Sequence, residues 1–286
     1  MRCALLLPAL LLASGATALA QELGLPTSLG APQEPAPPQD REVQAEDLAR
    51  KLTNPVAAMI SIQLQTNFDF KVGPLEEGFR YTANVLPTLP LSLSDDWNLI
   101  SRTNLSIIYQ QEIFPGADTQ IGFADVVQSF FFSPAEPGPL GLIWGVGPAF
   151  RLVTGTDDLL SSKKWGAGPT AGALRQDGPW TYGALVNHIY AGMGTGQRPD
   201  ISSTYLQPFV SYTTKDAWTL SLNTESTYNW KNHEWSVPLN LGVSKMATFS
   251  GTPVSLSFGI RYWADTTDSG PHDLGFRFAL TLLLPK

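Results

Sequence analysis

From Met59 onward the chain alternates between apolar and polar residues with a period of two. The last two segments show it most clearly. Val254, Leu256, Phe258, Ile260 and Tyr262 share one parity, and Ser255, Ser257, Gly259, Arg261 and Trp263 the other. Leu274, Phe276, Phe278, Leu280 and Leu282 then oppose Gly275, Arg277, Ala279 and Thr281. Strand side chains point alternately to two faces, so this period predicts strands rather than helices. A soluble sandwich also alternates, but its polar face normally carries several Lys and Glu. Here that face holds mainly small residues and single arginines. An apolar outside around a small or polar inside is the pattern of a transmembrane barrel.

Twelve such segments follow one another, at about 59–70, 79–92, 97–110, 120–133, 140–153, 164–174, 179–191, 203–213, 217–229, 234–246, 253–264 and 272–284. Their lengths suit the roughly 9–11 residues that a tilted strand needs to cross a bilayer. In the first, Ile60, Ile62, Leu64 and Phe68 oppose Ser61, Gln63, Gln65, Asn67 and Asp69. In the fifth, Leu140, Leu142, Trp144, Val146, Phe150 and Leu152 oppose Gly141, Gly145, Gly147, Ala149 and Arg151. The ninth and tenth divide as cleanly. The fourth and seventh are mixed; in the seventh the adjacent Asn187 and His188 cannot both face inward.

Connections after odd segments are mostly long (71–78, 111–119, 155–163, 192–202, 265–271). Those after even ones are mostly short (94–96, 176–178, 214–216), with 133–139 and 247–252 somewhat longer. That asymmetry is expected of a barrel whose N-terminus lies in the periplasm. Trp97, Trp165, Trp180, Tyr212, Trp218, Trp230 and Trp235 fall near strand ends, where aromatic rings suit the two membrane interfaces. The expected fold is therefore all-β: a transmembrane antiparallel up-and-down barrel of about 12 strands, preceded by a short periplasmic helix. Its last strand must pair with its first, because an open edge in lipid leaves backbone groups unsatisfied.

The N-terminus divides into two parts. Residues 1–20 have a basic residue at Arg2, a short apolar core and small residues at Ala18 and Ala20. This is a secretory signal, and the expected location is the cell outer membrane. Cleavage after Ala20 would remove Cys3, the single cysteine, leaving no disulfide or thiolate chemistry. Residues 21–55 form a Pro-rich periplasmic linker (Pro26, Pro32, Pro35, Pro37, Pro38) and a short helix over 42–52, with Val43, Leu48 and Leu52 at helical spacing. The helix reads as an entry segment packed against the barrel; a plug or a partner-docking element are the other readings. Residues 56–286 are the barrel.

Only 15% of the 286 residues are charged and the net charge is -7. The first is low for a soluble domain; the second leaves no electrostatic case for nucleic acid. No later segment reaches 18 apolar residues, so no transmembrane helix is expected. The expected partners are outer-membrane lipids, the barrel-assembly machinery and a small-molecule solute. No cofactor and no metal site is implied.

Several phrases carry a resemblance: Leu48-Ala-Arg-Lys-Leu-Thr-Asn-Pro55, Ser94-Asp-Asp-Trp-Asn-Leu-Ile-Ser-Arg-Thr103, Val127-Gln-Ser-Phe-Phe-Phe-Ser-Pro134, Trp180-Thr-Tyr-Gly-Ala-Leu-Val-Asn-His188, Leu206-Gln-Pro-Phe-Val-Ser-Tyr-Thr-Thr-Lys215, Leu222-Asn-Thr-Glu-Ser-Thr-Tyr228 and Leu280-Thr-Leu-Leu-Leu-Pro-Lys286. Together, across residues 45–286, they resemble the MetA-pathway of phenol degradation family of Gram-negative bacteria. The resemblance implies a porin-like outer-membrane barrel for transport of small, often aromatic or hydrophobic compounds. It brings no binding residues with it. The chain departs from common barrel practice by finishing on Pro285 and Lys286 rather than on an aromatic.

The alternation places Arg80, Arg102, Arg151, Arg261 and Arg277 in the lumen, with Asp69, Asp125 and Glu225. Such charges are tolerable inside only when paired or wetted. They make either a structural network filling a narrow lumen or a charged constriction that selects solutes. The arginine excess favours anionic or phenolate-like solutes. Gly141, Gly145, Gly147, Gly166, Gly168 and Gly172 on the inner faces of the fifth and sixth strands either permit bending and close approach or leave a hollow. A non-conducting structural or adhesive barrel is one alternative. An outer-membrane lipid hydrolase is another, but the histidines are only His188, His233 and His272 and no Gly-x-Ser-x-Gly occurs.

Overall fold

The computed structural model describes residues 38–57, 59–194 and 198–284. The signal-peptide expectation and most of the Pro-rich linker lie outside these residues. The helix α1 spans Pro38–Leu52. The strands are β1 (Ile60–Val72), β2 (Gly78–Ser92), β3 (Trp97–Gln111), β4 (Gln120–Phe123 and Val126–Pro134), β5 (Leu142–Leu152), β6 (Lys164–Asp177), β7 (Trp180–Gly194), β8 (Ile201–Thr213), β9 (Trp218–Thr224 and Ser226–Asn229), β10 (Glu234–Phe249), β11 (Thr252–Asp265) and β12 (Asp273–Leu284). Each pairs antiparallel with its sequence neighbours. β12 returns to β1 over a register running from Ile60↔Leu284 to Asp69↔Gly275. The sheet is a closed barrel of twelve strands, two of them interrupted.

The outward parity is apolar and uncovered. Leu64, Val146, Leu220, Leu222, Leu241, Leu256, Phe258, Ile260, Phe276 and Phe278 are all exposed. A continuous apolar belt of that kind is stable only against lipid. Trp97, Trp180 and Trp218 rim the end with the short turns, and Trp165, Trp230 and Trp235 rim the end with the long loops. Two turns are only two residues long, Gly178–Pro179 and Ser250–Gly251, and in the second Ser250 has φ 49° and Gly251 φ 83°. Two successive positive φ values are what a tight hairpin between right-twisted strands requires. The expected 247–252 loop is thus shorter, because β10 and β11 extend into it.

Both interruptions have a local cause. At β9 the gap falls on Glu225. Continuing the registers Thr224↔Leu239 and Thr227↔Ser236 puts Pro238 opposite Glu225 on β10. Continuing Asn223↔Phe209 puts Pro208 opposite Thr224 on β8. Neither proline can donate to the ladder. At β4 the register to β3 shifts by one residue between Ile107↔Phe123 and Asn104↔Val127. This is a β-bulge across Ala124 and Asp125, a device that re-aims a side chain.

The fifth strand begins later than its alternation predicts. Leu140 (φ 62°) and Gly141 (φ 70°) sit in a 3-10 turn, Pro139–Gly141, rather than on the two strand faces. Of the glycines set between bend and hollow, Gly172 leaves clear space, with 3.8 Å from a Cβ to its nearest neighbour, whereas Gly147 and Gly168 do not. A Cβ at Gly147 would lie 2.0 Å from the Phe130 carbonyl oxygen, and one at Gly168 would lie 1.7 Å from that of His188. These glycines allow backbone to approach backbone; they leave no empty space.

Candidate functional site

The helix and the segment after it enter the barrel at the short-turn end. Arg50 and Lys51 occupy the last turn of α1, where cations suit the helix dipole. Thr53 then accepts the turn, its hydroxyl donating to the Arg50 carbonyl at 2.7 Å. Gln176 of β6 donates to the same carbonyl at 2.8 Å. Ala49 is buried among Ala217, Met246 and Leu283, with Ala45, Leu48, Leu52 and Met59 around them. Farther along, the Asn54 side chain accepts from the Val56 amide at 2.9 Å. Val56 is thereby presented to an apolar cluster of Ile100, Phe131, Leu174 and Leu185, with Ile143, Tyr205 and Phe209 packed on it. So α1 lies at the mouth and its continuation lies inside; the entry-segment reading and the plug reading describe two parts of one stretch.

Beyond this segment lies a cavity of about 690 Å³. It runs from Ser244 and Thr281 near the short turns to Asp69 and Pro271 near the long loops. Arg80, Arg102, Arg151, Arg261, Arg277 and Glu225 all line it, and Asp125 does not. Arg277 grips Glu225 with two hydrogen bonds, Nη1 to Oε1 at 2.8 Å and Nη2 to Oε2 at 2.7 Å, and donates from Nε to Asn67 at 2.7 Å. Planar fork-to-fork geometry of this kind is the strongest ion pairing available to arginine. Arg261 lies 3.8 Å from Glu225 and 3.5 Å from Asp69. Its guanidinium stacks 4.4 Å from the Trp263 ring centroid, while the Trp263 indole donates to Asp69 at 2.9 Å. Gly259↔Arg277 and Arg261↔Gly275 are consecutive same-face rungs, so each arginine faces a glycine and the two side chains have room to converge. Arg80 donates to Gln110 at 2.8 Å.

Asp125 does other work. The bulge buries it under the loop between β5 and β6. Its carboxylate accepts from Gly155 N (3.2 Å), Ser161 Oγ (2.8 Å), Ser162 N (2.7 Å) and Ser162 Oγ. Arg151 stands 3.7 Å away. In that loop Lys163 and Asp158 form an exposed pair, and the hydrogen bond from Lys163 holds the Asp158 carboxyl below its ordinary range.

No family model and no curated protein matches the sequence. The fold does have solved counterparts. An outer membrane channel from Pseudomonas putida F1 superposes with a TM-score of 0.64 at 11% identity, over 81% of this chain and 99% of that one. The outer membrane phospholipase A from Escherichia coli gives 0.45 at 12% identity, over 79% and 96%. The β domain of the Bordetella autotransporter Brka gives 0.46 at 10% identity, over 79% and 100%. At these identities the likeness concerns the barrel fold.

The apolar cluster was not foreseen as part of the lumen. Its signal was present in the mixed fourth and seventh strands. A strand that is apolar on both faces has lipid on one side and an apolar partner on the other. Of the ambiguous pair in β7, Asn187 turns inward to the cavity. His188 turns outward, 2.9 Å from the Thr204 hydroxyl through Nδ1.

Proposed function

We propose that this protein is an outer-membrane channel for small apolar or aromatic molecules, with α1 on the periplasmic side. One observation carries the reading: a closed barrel with a lipid-facing exterior encloses a cavity spanning it from end to end, apolar on one wall and lined with arginines elsewhere. A purely structural barrel has no need of that space. The likeness in fold to an outer membrane channel and the resemblance to the phenol-degradation family support the same reading. In the state described, residues 49–57 and Met59 line and narrow the periplasmic half.

The test is planar-bilayer conductance together with swelling of proteoliposomes in small phenols. Ala49→Glu puts a carboxylate where Ala49 meets Ala217, Met246 and Leu283. Burying such a charge unpaired is costly, so the helix should leave the mouth and conductance should rise above that of the unmutated protein. If neither form conducts or passes solute, the barrel is structural.

One arrangement favours a different reading. The outward His188–Thr204 pair, with Trp230 donating to the same hydroxyl at 2.8 Å, places a base beside a nucleophile on the lipid side. Among the described residues nothing hydrogen-bonds the other ring nitrogen, so the third member of a catalytic triad is not in place. Fatty-acid release from phospholipid vesicles that is lost in His188→Ala would establish lipid hydrolysis instead.

A further inference from the structure

We propose that the lumen contains a monocarboxylate-binding subsite. Arg102 is its cation, and Tyr205 and Phe209, the half-buried aromatic residues that line the same cavity, seat the rest of the ligand. The inference rests on the channel reading and names the class of solute it takes.

The first support is a charge imbalance. Five arginines line the cavity, against Asp69 and Glu225 as its only lining carboxylates among the described residues. Those two carboxylates are already committed. Glu225 is held bidentate by Arg277 and flanked by Arg261, and Asp69 faces Arg261 and accepts from Trp263. Arg151 has Asp125, and Arg80 has neutral Gln110. Arg102 is left: among the described residues it makes no ion pair within 4.0 Å. Glu225 is near enough to feel its charge, but no carboxylate occupies the Arg102 fork, and that fork fits an incoming carboxylate bidentately.

The second support is position. On β3 the rung Arg102↔Ser129 follows the same-face rung Ile100↔Phe131. Two residues along a strand span about 7 Å. Arg102 therefore sits at the edge of the cluster, where Ile100, Phe131 and Leu185 are buried against Val56 and the half-buried Tyr205 and Phe209 line the cavity as its apolar wall. An anionic head beside an apolar seat, in a cavity of about 690 Å³, matches an aromatic or short aliphatic carboxylate. A dianion would leave its second charge against that wall, and a neutral analogue would leave Arg102 unanswered.

The experiment is isothermal titration calorimetry of the full-length protein in detergent micelles, with benzoate and its neutral isostere benzamide. Benzoate should bind saturably, at least about tenfold tighter than benzamide, as a charge-assisted bidentate contact implies. Arg102→Gln should remove that preference without weakening benzamide. Arg102→Lys, which keeps the charge but not the fork, should retain part of it. Arg175→Gln, outside the cavity, should change nothing. Heat-modified gel mobility reports whether each variant is folded, and Arg102→Lys carries the test if Arg102→Gln is not. Equal affinity of the two probes, no saturable binding of benzoate, or a preference that survives Arg102→Gln would overturn the subsite. The channel reading stands or falls separately, on the conductance of the unmutated and Ala49→Glu proteins.

Discussion

Replacing Asp125 by alanine removes the anchor of the loop at 153–163. In the intact protein one buried carboxylate accepts four hydrogen bonds from Gly155, Ser161 and Ser162. Hydrogen bonds to a charged group are worth about 1.5–3 kcal/mol each, but four that share one acceptor do not add. Counting only two at the lower figure gives about 3 kcal/mol, and every 1.4 kcal/mol is tenfold. The loop's opening equilibrium should therefore rise by about two orders of magnitude. Tryptic nicking after Lys163 or Lys164 measures it directly. When opening is fast relative to cleavage, the nicking rate follows the open population. Asp157→Ala is the control: Asp157 lies in the same loop, but its side chain accepts only from Leu159 N, at 2.8 Å. Asp125→Ala should be cut about a hundredfold faster than the unmutated barrel, and Asp157→Ala only a few-fold faster. Equal nicking of Asp125→Ala and the unmutated protein, both still folded by gel mobility, would refute the claim that Asp125 fastens the loop.

Three further outcomes follow from the geometry. Glu225→Gln keeps the shape but takes the charge from Arg277 and Arg261; breaking such a pair costs about 3–5 kcal/mol, here toward the low end because Asp69 still faces Arg261, and the temperature at which the folded gel band disappears should fall. Gly168→Ala forces a Cβ onto the His188 carbonyl and should fail to yield a folded barrel, whereas Gly172→Ala, whose nearest contact is 3.8 Å from the Ala184 oxygen, should fold normally. Deleting residues 272–286 leaves β1 without its partner and an open edge in lipid, so no heat-modifiable species should form rather than a trimmed barrel.

The lipid face was legible because every residue on it answers to one solvent. Leu256, Phe258 and Ile260 alternate with Ser257, Gly259 and Arg261 as lipid on one side and water on the other require. The lumen answers to two. Where water lines it, as at Ser61, Gln63, Gln65 and Asn67, alternation holds and Arg261 and Arg277 could be placed before any coordinates. Where Val56 fills it, Ile100, Phe131, Leu174 and Leu185 are apolar on the inner parity too, and periodicity cannot tell that wall from lipid. The information missing from each strand was the other chain segment, which no local pattern contains.

Asp125 and Glu225 are both inward by parity, and both stand at breaks in their strands. At Glu225 the break comes from prolines on the neighbouring strands, and the register passes through unchanged. The side chain therefore stays where alternation puts it, facing Arg277. At Asp125 the break is a bulge, and the register moves by one. The side chain leaves the lumen series and is captured by the loop. Parity survives a missing hydrogen bond but not an extra residue. Pro208 and Pro238 are visible in the sequence; the bulge at Ala124 and Asp125 announces itself only through the confused alternation of β4.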